Sequence, residues 1–338
     1  MARFLGDQNK VILISESGTY ASTSGNGLWF GQVVSHEVND EENKIENRYI
    51  GALSRNYDNF QLGPRDINGT VTLRPQDFRL AFYAIGSVNT GSVSAAMTHV
   101  ATEVNTSGRL SGFTSGTLNP PFSFTLEDSK QATGTGNNFI RTINGTIPNV
   151  VTITANMGEI VTEEVEYIGQ TLSFTSGATT SVTEVTANRP YLFNDLIVTM
   201  AGSALNTIKT SVLEINNNLV GPHYLNGSRD VSIPFYGNKD YTLTLTADMD
   251  SNLKFMYQQY YKTGSVFNGT LDFNADLTTA IGNLTAGSQH AIFTLSGCTI
   301  VDFNLPSTDD EVNEAEIVIR PKNVSATEYQ KTFPFNPW

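Results

Sequence analysis

Hydrophobic and polar residues alternate along most of the chain, a pattern typical of half-buried β-strands. The runs are short, with Gly or Asn between them; examples are Val11–Ser15, Thr70–Leu73, Val151–Thr154, Thr242–Thr246 and Glu316–Arg320. They are rich in β-branched and aromatic residues, which favour strands because they pack well on a pleated surface. The pattern therefore predicts a mainly β protein.

Two segments break this alternation with apolar residues at helical spacing. Each places four of them at i, i+3, i+4 and i+7: Phe78, Ala81, Phe82 and Ile85 in one, and Leu253, Met256, Tyr257 and Tyr260 in the other. Asp250 and Ser251 before the second segment suit a helix start, and Gly86 after the first suits a helix end. We therefore expect two helices, each with its apolar stripe packed on a sheet.

The same local patterns occur twice in the chain. Ser54-Arg55, Gly63, Asp66 and Thr70-Val71-Thr72 recur as Ser228-Arg229, Gly237, Asp240 and Thr244-Leu245-Thr246, all at a spacing of 174 residues. Ile143-Asn144-Gly145 and Glu163-Glu164-Val165 recur as Leu295-Ser296-Gly297 and Ala315-Glu316-Ile317, at a spacing of 152 residues. The difference places 22 extra residues in the first copy, between Tyr83 and Gly145. Because solenoid repeats have periods of roughly 20 to 50 residues, this spacing indicates a duplicated domain.

The duplication predicts two tandem domains, residues 1–174 and 175–338, with an inserted segment at about 86–140 in the first. The stretch Thr175–Asn188 has the Ser- and Thr-rich composition of a linker. A chain of 338 residues is long enough for each domain to bury its own core without disulfides or metals.

Composition and charge restrict the classes of partner. The chain has 33 acidic and 20 basic residues and a net charge of −13, which disfavours attraction to a nucleic-acid backbone or an anionic membrane. The single cysteine, Cys298, excludes an internal disulfide and lies in an apolar run, where we expect it to be buried. We find neither a signal-peptide pattern nor an apolar stretch of membrane-spanning length, and we expect the chain to fold in a cytoplasm.

The sequence contains no Walker loop, nucleophile elbow, zinc-protease motif or Cys-x-x-Cys pair. The four histidines, His36, His99, His223 and His290, are not related by the repeat, which argues against a duplicated histidine site. We therefore expect no enzyme activity, no cofactor and no metal.

Four pairs of acidic residues do hold equivalent positions in the two copies. The pairs are Glu37 with Glu214, Asp66 with Asp240, Glu159 with Glu311, and Glu164 with Glu316. Shared ancestry and solvent-facing strand positions would explain them; the alternative is a common functional surface. Two long polar segments, Asp40–Pro64 and Asn217–Asn238, also correspond, and connections of this length usually have a function.

In its order and spacing of elements the chain resembles the tail tube fold of tailed bacteriophages. The resemblance rests on a Gly-x-x-Asp motif and a Thr-rich strand that lead into a helix after a long loop, and it covers roughly residues 30–170 and 205–325. Asn216–Tyr224, Gly227-Ser228-Arg229 and Tyr241–Met256 match the pattern in the second copy, and Gly51–Arg55 with Gly63–Tyr83 match it more weakly in the first. The segment 86–140 departs from the pattern.

This resemblance implies two tail-tube-like β-sandwich or barrel domains, each with one flanking α-helix. Six such domains would form a ring whose joined sheets remove exposed strand edges. A chain with two domains would close as a trimer with pseudo-sixfold symmetry, and a hexamer with one domain outside the wall is the alternative. Stacked rings would form the tube of a virion tail, assembled in the host cytoplasm, through which double-stranded DNA is delivered.

The resemblance also implies roles for particular residues. An acidic channel wall would let DNA slide, and the candidates for it are Glu37, Glu214, Asp66, Asp240, Glu159, Glu311, Glu164 and Glu316. Candidates for contacts between stacked rings are Asp40, Glu46, Arg48, Arg55, Asn217, Tyr224 and Arg229. The implied partners are other copies of the chain, the tape measure, tail tip or baseplate and terminator proteins, and passing DNA that is not bound by sequence; no membrane is implied.

A two-domain β-sandwich adhesin or a glycan-binding fibre module is the alternative function, and a capsid decoration protein is a third. Abundant Ser, Thr, Asn and Gly suits an adhesin equally well. The absence of a secretion signal argues against it, as does the presence of only Trp29 and Trp338 to stack on sugars.

Overall fold

The computed structural model describes residues 9–16, 20–47, 59–93, 96–103, 123–131, 138–182, 189–275, 289–306 and 313–330. The elements of the first half are β1 (Lys10–Glu16), β2 (Thr23–Leu28), β3 (Gln32–Asn47), β4 (Asn59–Arg74), α1 (Arg79–Ile85), β5 (Gly86–Val93), β6 (Ala96–Glu103), β7 (Phe124–Lys130), β8 (Phe139–Asn156), β9 (Thr162–Gly169) and β10 (Thr171–Thr175).

The second half begins with a 3₁₀ turn (Phe193–Asp195). It continues with β11 (Leu196–Met200), β12 (Ser203–Ala204), β13 (Ile208–Asn216), β14 (Asp240–Asp248), α2 (Ser251–Met256) with a π-helical turn (Tyr257–Tyr261), β15 (Phe267–Asn274), β16 (His290–Asn304), β17 (Glu314–Arg320) and β18 (Asn323–Gln330). The predicted mainly β fold is confirmed, and so are a helix in each half and the cap of the second, where Asp250 accepts a hydrogen bond from the Leu253 amide.

A central antiparallel sheet runs through both halves of the chain. Its strand order is β3, β4, β9, β8, β13, β14, β17, β16. Each half contributes four strands in the same order, and the pairing of β8 with β13 joins the two sets. Two strands of the central sheet therefore have no neighbour on one side among the described residues: β3 at one edge and the second part of β16 at the other.

Two further layers flank the central sheet. The first has the order β2, β1, β7, β8, β10, and the second has the order β12, β11, β15, β16, β18, β6, β5. The long strands β8 and β16 pass from a flanking layer into the central sheet. Gly145 and Gly297 stand where they change layer, with φ of 65° and 63°, a region that residues with a Cβ rarely adopt. The backbone thus requires the two glycines that the sequence repeats.

Part of the predicted inserted segment forms a hairpin that crosses between the halves. β5 and β6 pair with each other, and β6 pairs with β18 of the second half. β7 also falls within the predicted segment, but it pairs with β1 and β8 as β15 pairs with β11 and β16. The additional structure of the first half is therefore the β5–β6 hairpin.

One hydrophobic core extends through both halves between the central sheet and the flanking layers. Phe78, next to α1, packs its ring against Tyr191, Phe273 and Phe293 of the second half, with centroid separations of 5.0, 4.8 and 5.3 Å. Burying an aromatic ring of this size contributes about 1.5–3 kcal/mol, so the packing holds the halves together. No described helix is long and apolar enough to span a membrane.

Candidate functional site

The central sheet has one buried face and one solvent-accessible face, which we call the open face. Successive side chains of a strand point to opposite faces, so the buried Val71, Val165 and Leu213 alternate with polar neighbours. The open face carries Ser35, Glu37, Asp66, Asn68, Thr70, Thr72, Thr152, Thr154, Glu164, Glu166, Glu214, Asn216, Asp240, Thr242, Thr244, Thr246, Thr299, Asp302, Asn304 and Glu316.

Strand register aligns these side chains in rows across both halves. One row consists of Ser35, Thr72, Glu164, Thr152, Glu214 and Thr242, and the next consists of Glu37, Thr70, Glu166, Val150, Asn216 and Asp240. The second row contains no basic residue, whereas the first continues by register to the exposed Arg320 of β17, which lies opposite Thr299. Because neighbouring strands lie about 4.8 Å apart, acidic groups lie about 10 to 14 Å apart along a row.

Six of the eight predicted channel residues lie on the open face. Asp66 and Asp240, and Glu164 and Glu316, hold equivalent positions on the strand pairs β4/β14 and β9/β17. Glu37 and Glu214 lie on the matching strands β3 and β13, but the predicted equivalence is wrong by two residues, because Glu37 lies opposite Thr70 and Glu214 lies opposite Thr242. Glu159 lies instead in the turn after β8, where it accepts a hydrogen bond from Asn156 at 3.0 Å. Glu311 lies outside the described residues.

The sequence analysis missed other acids of the same face. Glu166 follows Glu164 at a spacing of two residues, which places it on the same side of β9; this alternation was the available signal. Asp248 and Glu314 lie opposite each other at the end of β14 and β17. Lys209 contacts both of these carboxylates, at 2.6 and 2.9 Å, and its hydrogen bonds with them raise its pKa.

Candidate metal ligands are dispersed over the part of this face that the structure describes. Within the described ranges no three His, Cys, Asp or Glu side chains are placed to hold a metal ion. Cys298 is buried, and burial raises the pKa of its thiol to about 11, so little reactive thiolate forms near neutral pH. What the open face offers is a polar surface on which acidic side chains outnumber the basic Arg74, Lys209 and Arg320.

The family model described as phage tail tube protein matches residues 7–327, almost the whole chain. The chain belongs to the phage tail tube protein family. A comparison with curated proteins finds no match. Membership of this family confirms the resemblance inferred from the sequence and assigns the chain a structural role in the virion tail.

The first of the two predicted loops of this tail tube protein is mostly strand. The prediction of a loop from Asp40 to Pro64 is wrong, because β3 and β4 remain paired as far as Asn47 and Asn59. We call residues 40–47 and 59–66 the arm. Most of the arm is solvent-exposed, so its sequence needs no alternation of apolar residues and resembles a loop.

Two predicted stacking residues lie on the arm. Asp40 forms a bidentate ion pair with Arg65, at 2.6 and 2.7 Å, and this hydrogen bonding lowers the pKa of Asp40. Glu46 is exposed near the end of the arm. Arg48 and Arg55 lie outside the described residues.

The second predicted loop, 217–238, folds back onto the first half. Asn217 is buried and donates from its side chain to the Pro148 carbonyl at 2.9 Å. Arg229 accepts a hydrogen bond at its carbonyl from the Arg65 amide and donates from Nε to the Gly63 carbonyl, both at 2.9 Å. Asn217 and Arg229 therefore join the two halves. Tyr224 remains exposed at the tip of the loop.

Proposed function

We propose that three copies of the chain close a ring by pairing the free edge of β16 in one copy with the free edge of β3 in the next. The observation that supports this is the pairing of β8 with β13 inside the chain. β16 and β3 hold the positions of β8 and β13 in the repeated strand order, so the same pairing is available between copies. The chain would then be two tandem domains, residues 1–174 and 175–338, in one wall.

The difference between the two free edges favours a closed ring. Pairing unlike edges is a head-to-tail contact, which forms a ring when its rotation closes and otherwise forms a filament. An exposed edge also carries unpaired backbone groups that invite association, and closure removes them. A hexamer with one half outside the wall is less well supported, because both halves of the chain already lie in a single sheet.

The open face would line the channel through which double-stranded DNA passes. DNA carries about one negative charge per 1.7 Å of its axis, and basic side chains retain it through released counterions. Carboxylates, threonines and asparagines predominate on this wall, and the basic Arg74, Lys209 and Arg320 lie near the ends of their strands. The six predicted acids on this face, which outnumber these basic residues, therefore support sliding without sequence-specific binding.

Stacking would use the two ends of the central sheet. The arm and the tip of the 217–238 loop project at one end, and the β8–β9 turn, with the exposed Met157, lies at the other. The arm end of one ring would meet the turn end of the next. Tape measure, tail tip or baseplate and terminator proteins would contact the channel and the terminal rings of a tube assembled in the host cytoplasm.

Negative-stain electron microscopy of the purified protein, with mass photometry of the same sample, tests the proposal. We expect hollow rings or tubes and masses at multiples of three chains. Rings of six chains would place half of each chain outside the wall. A protein that stays monomeric at its highest soluble concentration would contradict ring closure by the two edges.

A further inference from the structure

The two helices differ in exposure at equivalent positions. Aligning their apolar stripes, Phe78 with Leu253, matches Leu80 with Phe255. Leu80 is 1% exposed, whereas Phe255 is 48% exposed. α1 lies against β8 and contacts the β5–β6 hairpin of its own half as well as β13 and β18 of the second half. The π-helical turn after α2 lies against β16, the counterpart of β8, at the edge of the chain.

A pair of aromatic residues on the first flanking layer shows the same contrast. Phe139 of β8 and Phe174 of β10 are 39% and 52% exposed, with ring centroids 5.5 Å apart. The repeat spacing of 152 residues matches them with Ala291 of β16 and Ala326 of β18, which are 0% and 2% exposed. These alanines belong to the core that also contains α1.

The junction within the chain bears on both contrasts. There α1 contacts β13 and β18 of the second half, and Ala326 of β18 lies opposite Ala101 of β6 in the first half. The outer surfaces of the chain carry Phe255 at one end and Phe139 with Phe174 at the other. No described element covers either set, and both adjoin the free edges of the central sheet.

We propose that Phe255 of one copy packs against Phe139 and Phe174 of the next copy. The contact would repeat between copies the one that α1 makes with the second half inside the chain. This contact rests on the proposed ring closure, and it identifies side chains that would stabilise the association of neighbouring copies. Separate chains lose translational and rotational freedom on association, and buried aromatic anchors commonly supply the compensating energy. At the proposed junction between copies, three aromatic residues thus stand at the positions that one leucine and two alanines hold at the junction inside the chain.

The β5–β6 hairpin supports a second copy as the partner. Inside the chain this hairpin follows α1 and pairs with β18, covering the outer edge of that strand. After α2 the chain passes directly to β15, so a junction between copies would lack the hairpin. The outer edge of β10, the counterpart of β18, has no partner in the part of the chain that the structure describes. Aromatic packing would then stabilise a junction that lacks this strand pairing.

Substitutions at the three positions provide the first test. We expect F255A, and separately F139A/F174A, to raise the concentration needed for half-maximal ring formation at least tenfold in mass photometry. The triple variant F139A/F174A/F255A should assemble as well as the more weakly assembling of F255A and F139A/F174A, because both sets of substitutions remove the same contact. F193A removes an equally exposed ring from another surface and should assemble like the parent protein. Circular dichroism melting would verify that each variant is folded.

Crosslinking provides a test that does not depend on loss of assembly. F255C/F174C, in a C298A background, should form disulfide-linked dimers and trimers on a non-reducing denaturing gel, and neither single cysteine should. A second pair, N39C/N304C, reports the strand edges independently. Linkage through residues 39 and 304 without linkage through 255 and 174, together with normal assembly of F255A, would overturn the aromatic contact and leave ring closure intact. Failure of the unsubstituted protein to form rings would overturn both.

Discussion

Glu214 of β13 lies directly opposite Thr152 of β8, at the point where the two halves of the central sheet meet. Asn39 of β3 holds the position of Glu214, because Asn39 lies opposite Asn68 and Glu214 lies opposite Thr242, its counterpart at the repeat spacing of 174 residues. Asn304 holds the position of Thr152. Asn304 lies opposite Glu316 as Thr152 lies opposite Glu164, which supports the correspondence. The pair inside the chain thus specifies the register that a junction between copies should have.

We expect N39C/N304C to form an interchain disulfide, because opposed residues in an antiparallel pair have Cα atoms about 4.5–5.5 Å apart, within disulfide range. Non-reducing denaturing gels should show a closed covalent trimer. T152C/E214C is the matched control. Its two introduced thiols should form a disulfide within one chain, so the protein should still migrate as a monomer on the gel. Tubes that form normally but contain only monomers on the gel would contradict the edge pairing.

Replacing Glu164, Glu214 and Glu316 with lysine should leave tubes intact but slow DNA ejection. The side chains are on the open face, so the sheet does not need them for packing, whereas new cations would retain phosphates. The delay should shrink as salt rises. E159K makes the same substitution once, in a turn away from the open face, and should eject at the normal rate. Unchanged ejection by the triple variant would mean that these residues do not face the channel.

Deleting residues 44–60 should give rings that no longer stack. The deletion shortens the exposed arm without touching the buried parts of β3 and β4, so the free energy of unfolding should change little. Electron microscopy would show single rings where the parent protein forms tubes. Tubes of normal length from this variant would exclude the arm from stacking.

Lys239 should stabilise the contact between the halves. Its Nζ donates to the carbonyl oxygens of Ala84 and Ile85, at 2.7 and 2.6 Å, at the end of α1. Charged hydrogen bonds of this kind contribute about 1.5–3 kcal/mol, and a cation also favours a helix C-terminus. We expect K239A to lower the free energy of unfolding by about 1–2 kcal/mol in urea titrations, and K239R to retain most of it. A K239A curve that superimposes on that of the parent protein would contradict the assignment.

His99 should make stability depend on pH. It is buried on β6, and burial, reinforced by the charge of Arg79, lowers its pKa to about 4. An unfolded histidine has a pKa of about 6.5, so the unfolded state takes up the extra proton between these values. This contribution to stability is fully present above pH 6.5 and is lost as the pH falls towards 4.

H99Q should therefore weaken the loss of stability between pH 7 and pH 4 by an amount on the order of 3 kcal/mol. Urea titrations of both proteins at several pH values would measure the difference. Parallel pH dependences would show that His99 is protonated in the folded state or does not control this transition.

The sequence by itself determined the elements and the faces of the strands. Alternation predicted strands, the two apolar stripes predicted α1 and α2, and the repeat matched Asp66 with Asp240 and Glu164 with Glu316. These features are local or are copied along the chain. A spacing of two residues fixes the face of a strand whatever its neighbours are.

The tertiary structure decided which strands are neighbours. No local pattern states that β8 pairs with β13, that the β5–β6 hairpin joins β18, or that Arg229 binds the backbone at Gly63. The sequence analysis also failed to predict the strands of the arm. A strand pair with both faces in water need not alternate apolar and polar residues, so its sequence lacks the usual strand pattern. Such pairings join residues distant in sequence, and their energies depend on burial that exists only after the chain has folded.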